Sequence, residues 1–109
     1  GKELTQPQRY LLELIFRDAG YGHEYIAPVF TKQYFLDQEG KTPLSHISQI
    51  NSAMFDEFLG IIAHAAGRSE KPASFKDYTA AEKAEIYKAL REYIEKNNIK
   101  PLPKEEKGE

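Results

Sequence analysis

The chain has 109 residues, no cysteine and a formal net charge of −2, a length that fits one domain able to bury a core without covalent staples. The lack of cysteine excludes disulfides, thiolate metal sites and cysteine nucleophiles together, and it is what a cytoplasmic protein is expected to show. Hydrophobic residues at 40% and charged residues at 29% belong to a globular chain rather than a disordered one.

No apolar run approaches the ~18 residues of a membrane span, and no signal peptide is visible, so the chain reads as soluble with no membrane among its partners. It opens on Gly1 rather than Met, which leaves room for a longer parent protein. Residues 1–67 carry five Lys/Arg against eight Asp/Glu, and residues 68–109 carry ten against nine. Neither half has the basic excess of a typical nucleic-acid module.

The first helix is predicted over residues 6–19. Thr5-Gln6-Pro7-Gln8 reads as a capping box, with Pro7 in the first turn where its missing N–H costs nothing. Tyr10, Leu11, Leu12, Leu14, Ile15 and Phe16 form its apolar side, Arg9, Glu13 and Arg17 its wet stripe, and Gly20 its stop. After a Tyr21-Gly22-His23 connector, Pro28 argues for a helix start near Ala27. Residues 28–38 then present Val29, Phe30, Tyr34, Phe35 and Leu36, closed by Gly40 and Pro43. Helix is the preferred reading of that segment, with a strand over 29–36 as the alternative.

Leu44 to Ile50 reads either as one helical turn or as an extended entry to the next element. Asn51 or Ser52 is the expected cap of a strong helix, in which Met54, Phe55, Phe58, Leu59, Ile61, Ile62 and Ala65 keep helical spacing. Phe58 and Ile62, one turn apart on that stripe, are expected in the core. Residues 68–78 form a linker whose Phe75 and Tyr78 suggest that it packs down. Thr79-Ala80-Ala81-Glu82 is a second capping box. The helix after it carries a narrow docking stripe of Ile86, Tyr87, Leu90, Tyr93 and Ile94, ends at Asn97-Asn98, and seats either in cis on the preceding bundle or in trans on another chain, with cis the default.

The expected fold is all-α: a small bundle of about four helices with a C-terminal amphipathic helix. The single domain covers 1–98 (bundle 5–67, linker 68–78, helix 79–98), and 99–109 is expected to be a flexible tail.

Chemistry is sparsely signalled. His23, His46 and His64 lack the spacing of metal ligands. Asp56-Glu57 and Glu105-Glu106 are adjacent pairs, and in a helix adjacent side chains point about 100° apart, so they share no acid–base site. Ser45, Ser48 and Ser52 lie in no nucleophile motif, and no phosphate-cradling glycine loop is present. No catalytic residue, metal or cofactor is therefore expected. The candidate recognition surface is the loop of Tyr21, His23 and Tyr25 with Arg9 and Arg17, where the tyrosines either stack on a partner or anchor the loop to the core.

Residues 4–66 resemble helical segments of phage and mobile-element proteins, among them HNH-type nucleases and recombination accessory factors. The resemblance lies in Leu4-Thr5 with Gln8-Arg9, in Ile15-Phe16-Arg17-Asp18-Ala19-Gly20, and in Leu44-Ser45 with Ser52-Ala53-Met54 and Phe58. It implies a helical module beside a catalytic part, in a DNA-transaction setting. It implies no catalysis here, since the Cys/His metal set of an HNH-type nuclease is missing.

The favoured expectation is a non-enzymatic interaction module, part of or accessory to a larger protein or assembly, that meets a protein partner or its own copy. The alternative is a nucleic-acid-binding accessory domain of a phage or mobile-element recombination protein. A small-molecule enzyme has only scattered polar residues in its favour.

Overall fold

The computed structural model describes residues 2–31 and 44–103. Four α-helices follow in chain order: α1 (Gln6–Ala19), α2 (Ile26–Phe30), α3 (Ser52–Ala65) and α4 (Ala80–Lys96). Short 3₁₀ turns at His23–Tyr25, Ile47–Gln49 and Phe75–Asp77 connect them. Extended pairing among the described residues is one antiparallel bridge between Glu3 and Asn51, and the fold is all-α.

The helix starts form as the sequence predicts. Thr5 Oγ1 accepts the Gln8 N–H at 3.3 Å while Gln8 Oε1 accepts the Thr5 N–H at 2.9 Å. Thr79 and Glu82 repeat the exchange at 3.1 and 2.8 Å. Asn51, rather than Ser52, caps α3, its Oδ1 accepting the Met54 N–H at 2.9 Å. Each exchange satisfies N–H groups that a helix start leaves orphaned. The segment before α3 combines both readings: a 3₁₀ turn at Ile47–Gln49 between extended residues, with Ile47 and Ile50 buried.

The ends of α1, α3 and α4 share one device. Gly20 at φ 103°, Gly67 at φ 88° and Asn98 at φ 52° are left-handed. After each, the next N–H reaches back to the last turn: Tyr21 to the Phe16 carbonyl at 2.9 Å, Arg68 to Ala63 at 2.9 Å, and Ile99 to Ile94 at 3.0 Å. The left-handed residues themselves donate to Arg17, His64 and Glu95, which completes the Schellman pattern. A residue with a Cβ is strained at such a φ, which explains glycine at two of the three sites and asparagine at the third.

All four helices contribute to one core. Leu12, Ile15 and Phe16 of α1 meet Ile26, Val29 and Phe30 of α2, Phe55, Phe58 and Ile62 of α3, and Ile86, Leu90 and Ile94 of α4. The Phe58 ring sits at the centre, 5.2 Å from Phe30 and 6.1 Å from Phe16 by ring centroids. α4 packs on both α1 and α3, so its stripe is seated in cis. No helix among the described residues is long and apolar enough to cross a membrane.

α2 begins at Ile26, next to the expected start at Ala27, and Pro28 is its third residue. That is still within the first turn, where a proline N–H has no intrahelical partner to lose. The remainder of the predicted 28–38 helix, with Tyr34, Phe35 and Leu36, lies outside the described residues. The expected tail from 99 onward starts too early: Ile99 is only 9% exposed, and the Leu102 N–H donates to the Glu24 carbonyl at 2.9 Å. The left-handed Asn98 turns the chain back so that Ile99 re-enters the core, a change of direction that the proline and charge content beyond it does not reveal. Residues 104–109 lie outside the described residues.

Replacing Phe58 with Ala should cost about 3–5 kcal/mol, the range for emptying a buried aromatic site. Urea unfolding of the two proteins measures it, and a loss under about 1 kcal/mol, typical of surface positions, would place the ring outside the core.

Candidate functional site

The site grows out of the segment between α3 and α4. The left-handed Gly67 directs Arg68 toward the first turn of α4, where its guanidinium forms two bonds to Glu82, Nε to Oε2 at 2.9 Å and Nη2 to Oε1 at 2.8 Å. Nη2 also donates to the Asp77 carbonyl at 3.0 Å, and the guanidinium carbon stands 5.1 Å from the centre of the Tyr78 ring. A planar fork engaged on both prongs over an aromatic face is a geometry that lysine could not reproduce. Farther along, Lys71 Nζ donates to Asp56 Oδ1 of α3 at 2.7 Å. Ser74 and Asp77 close a small capping exchange around the Phe75–Asp77 turn. Residues 68–79 thus form a strap held at both ends, with Tyr78 buried and Phe75 edge-on to it, ring centroids 5.4 Å apart.

Between the strap and the helices lies a groove of about 250 Å³. Pro7, Gln8 and Leu11 of α1 form one wall, Phe55 and Leu59 of α3 its floor, and Lys71 through Phe75 with Tyr78 the other wall. Leu11, Leu59 and Phe75 are half-buried hydrophobics packed on the core, so the groove presents apolar surface that the fold itself leaves partly open. Next to it on α1, Tyr10 is 61% exposed.

The predicted recognition residues do not gather into one patch. Tyr21 and Tyr25 pack edge-to-face with ring centroids 4.8 Å apart, half-buried against the core. Burial raises the Tyr21 hydroxyl pKa above its ordinary value, with smaller upward effects from Glu95 and Tyr25. His23 between them is solvent-facing, its Nδ1 3.8 Å from Glu24 Oε1. Arg9 and Arg17 are exposed on the outer stripe of α1, each 3.7 Å from a carboxylate, Glu13 and Asp18 respectively. Arg9 lies beside Leu4, Ile47 and Ile50, at the end of α1 away from the tyrosines.

The docking stripe of α4 is occupied within the chain: Ile86, Leu90 and Ile94 are buried, Tyr87 and Tyr93 half-buried. The Tyr87 hydroxyl donates to Asp18 Oδ2 at 3.2 Å, and burial together with that carboxylate pushes its pKa up to about 12. Among the described residues, no three His, Asp or Glu side chains cluster as metal ligands would. The strap groove itself was missed by reading for chemistry. Its signal was the two aromatics Phe75 and Tyr78 in an otherwise polar linker.

Glu82 links the strap to acidity. Its bonds from Arg68, and then from the Thr79 N–H, hold its pKa at about 2, below the ordinary 4.5. A carboxylate depressed by folding contributes its stability above the ordinary value and loses it as the pH falls toward the folded one. Glu82→Gln should therefore unfold at lower urea than the parent at neutral pH, and the gap should close as the pH drops from 4.5 toward 2. Urea midpoints across that range test this, and a gap independent of pH would assign Glu82 a packing role alone.

No protein family matches the chain, and neither a curated protein nor a solved structure does.

Proposed function

We propose that this chain is a non-enzymatic helical interaction module, part of or accessory to a larger assembly, that takes one apolar side chain of a protein partner into the strap groove. The observation that carries this reading is the groove: apolar walls built from α1, α3 and the strap, left open in a fold whose other amphipathic stripe, on α4, is already filled. Its 250 Å³ falls below the roughly 300–1,000 Å³ of small-molecule sites. It suits the single buried anchor that dominates many protein contacts. A nucleic-acid reading draws less support, because the net charge is −2 and Arg9 lies at the end of α1 away from the Tyr21–Tyr25 loop, where phosphate binding calls for gathered cations.

A displayed library of random short peptides, selected on the immobilised chain, tests the reading. Ala73, exposed on the groove wall, is replaced by Trp to fill the space. Peptides sharing a large apolar residue should be enriched on the parent and lost on Ala73→Trp, with the melting temperature unchanged. Equal retention by a folded Ala73→Trp protein would place the contact elsewhere and reject the proposal. Retention of duplex DNA, falling steeply with salt and lost on Arg9→Ala and Arg17→Ala, would replace it with the accessory nucleic-acid role.

A further inference from the structure

Among the described residues, two ammonium groups meet the groove's apolar surface, those of Lys71 and Lys83. Lys71 is the ionised side chain in the described lining, and its pairing with Asp56 joins two solvent-accessible groups, a kind of contact that exchanges partners at little cost. Lys83, on the second turn of α4, holds its ammonium 5.1 Å over the ring of Phe75, a lining residue. Among the described residues no carboxylate pairs with it. The nearby acids are engaged: Glu82 by Arg68 and the Thr79 N–H, and Asp77 by the Ser74 N–H at 3.2 Å. On the opposite wall, Pro7 and Gln8 belong to a first helical turn that contains no acid, so the positive end of the α1 dipole is uncompensated at the same rim.

From this arrangement, and resting on the reading above, we infer that the segment entering the groove is acidic: a large apolar side chain flanked by Asp or Glu residues that meet Lys71 and Lys83. A second copy of the chain is a poorer occupant. Tyr10 is the exposed large hydrophobic among the described residues, far short of the roughly 800 Å² per partner that a standard interface buries. A short segment with one anchor needs much less surface, and charge complementarity at the rim supplies orientation and encounter rate.

Fluorescent peptides that share the apolar core selected by the library, flanked by Glu, Ser or Lys, are titrated against the full chain and against Lys71→Glu/Lys83→Glu. The Glu-flanked peptide should bind the parent most tightly and lose about 4- to 25-fold on the double variant, since each exposed pair is worth roughly 2- to 5-fold. The variant should prefer Lys flanks, and both preferences should shrink as salt rises. If the three peptides bind the parent within about twofold of one another, or the Lys-flanked one binds best, the acidic inference falls while the groove reading stands. If no peptide binding is lost on Ala73→Trp, both fall. Sedimentation of the full chain adds one more outcome: a dimer abolished by Ala73→Trp would make a second copy the occupant and overturn the inference.

Discussion

A single carboxylate ties together the strap, the start of α4 and the groove. Glu82 Oε1 accepts the Thr79 N–H, closing the capping box that begins α4, and also accepts Arg68 Nη2. Arg68 in turn holds the Asp77 carbonyl and covers Tyr78. Removing Glu82 would free the Thr79 N–H at a helix start, and removing either partner would leave the strap without its bidentate pair. Ordering a segment of a dozen residues costs backbone entropy, and the bidentate pair, the Phe75–Tyr78 contact and the burial of Tyr78 each act against it. Without them the groove would have one wall fewer.

Three helix ends use the same left-handed turn to opposite purposes. The turn fixes where the following residue is sent, and that residue's chemistry decides what happens there. Tyr21 joins Tyr25 over the core, Arg68 finds a carboxylate fourteen residues on, and Ile99 re-enters the core beside Ile94. A helix stop in this chain is therefore a steering element. The two glycines allow it without strain, and the asparagine tolerates it through its short polar side chain.

The contrast between α4 and the strap bears on function. The stripe of α4 is apolar enough to seek a neighbour, and α1 and α3 supply one, leaving Tyr87 and Tyr93 at the margin with the Tyr87 hydroxyl bound to Asp18. The strap has fewer apolar residues and leaves Leu59 half-buried. What it leaves is a small apolar concavity edged by lysines, where covering apolar area favours a partner and the cost of ordering that partner sets the affinity. The proposed acidic peptide follows from that edge rather than from the aromatic loop at Tyr21 and Tyr25, whose rings are half-buried in holding the loop down.

Local sequence determined the helices. Thr5-x-x-Gln8 and Thr79-x-x-Glu82 write their own caps, Gly20 and Gly67 their own stops, and the spacing of Phe55, Phe58 and Ile62 or of Ile86, Leu90 and Ile94 states which side turns inward. These are interactions within four residues, or periodicities along one helix, so they survive without knowledge of what lies across the core. The groove, the reach of Arg68 to Glu82 over fourteen positions, the contact of Tyr87 with Asp18 and the return of Ile99 after Asn98 were decided by tertiary structure. Each depends on where two elements end up relative to each other, and that placement is set by the packing of the whole core around Phe58 rather than by any short stretch of residues.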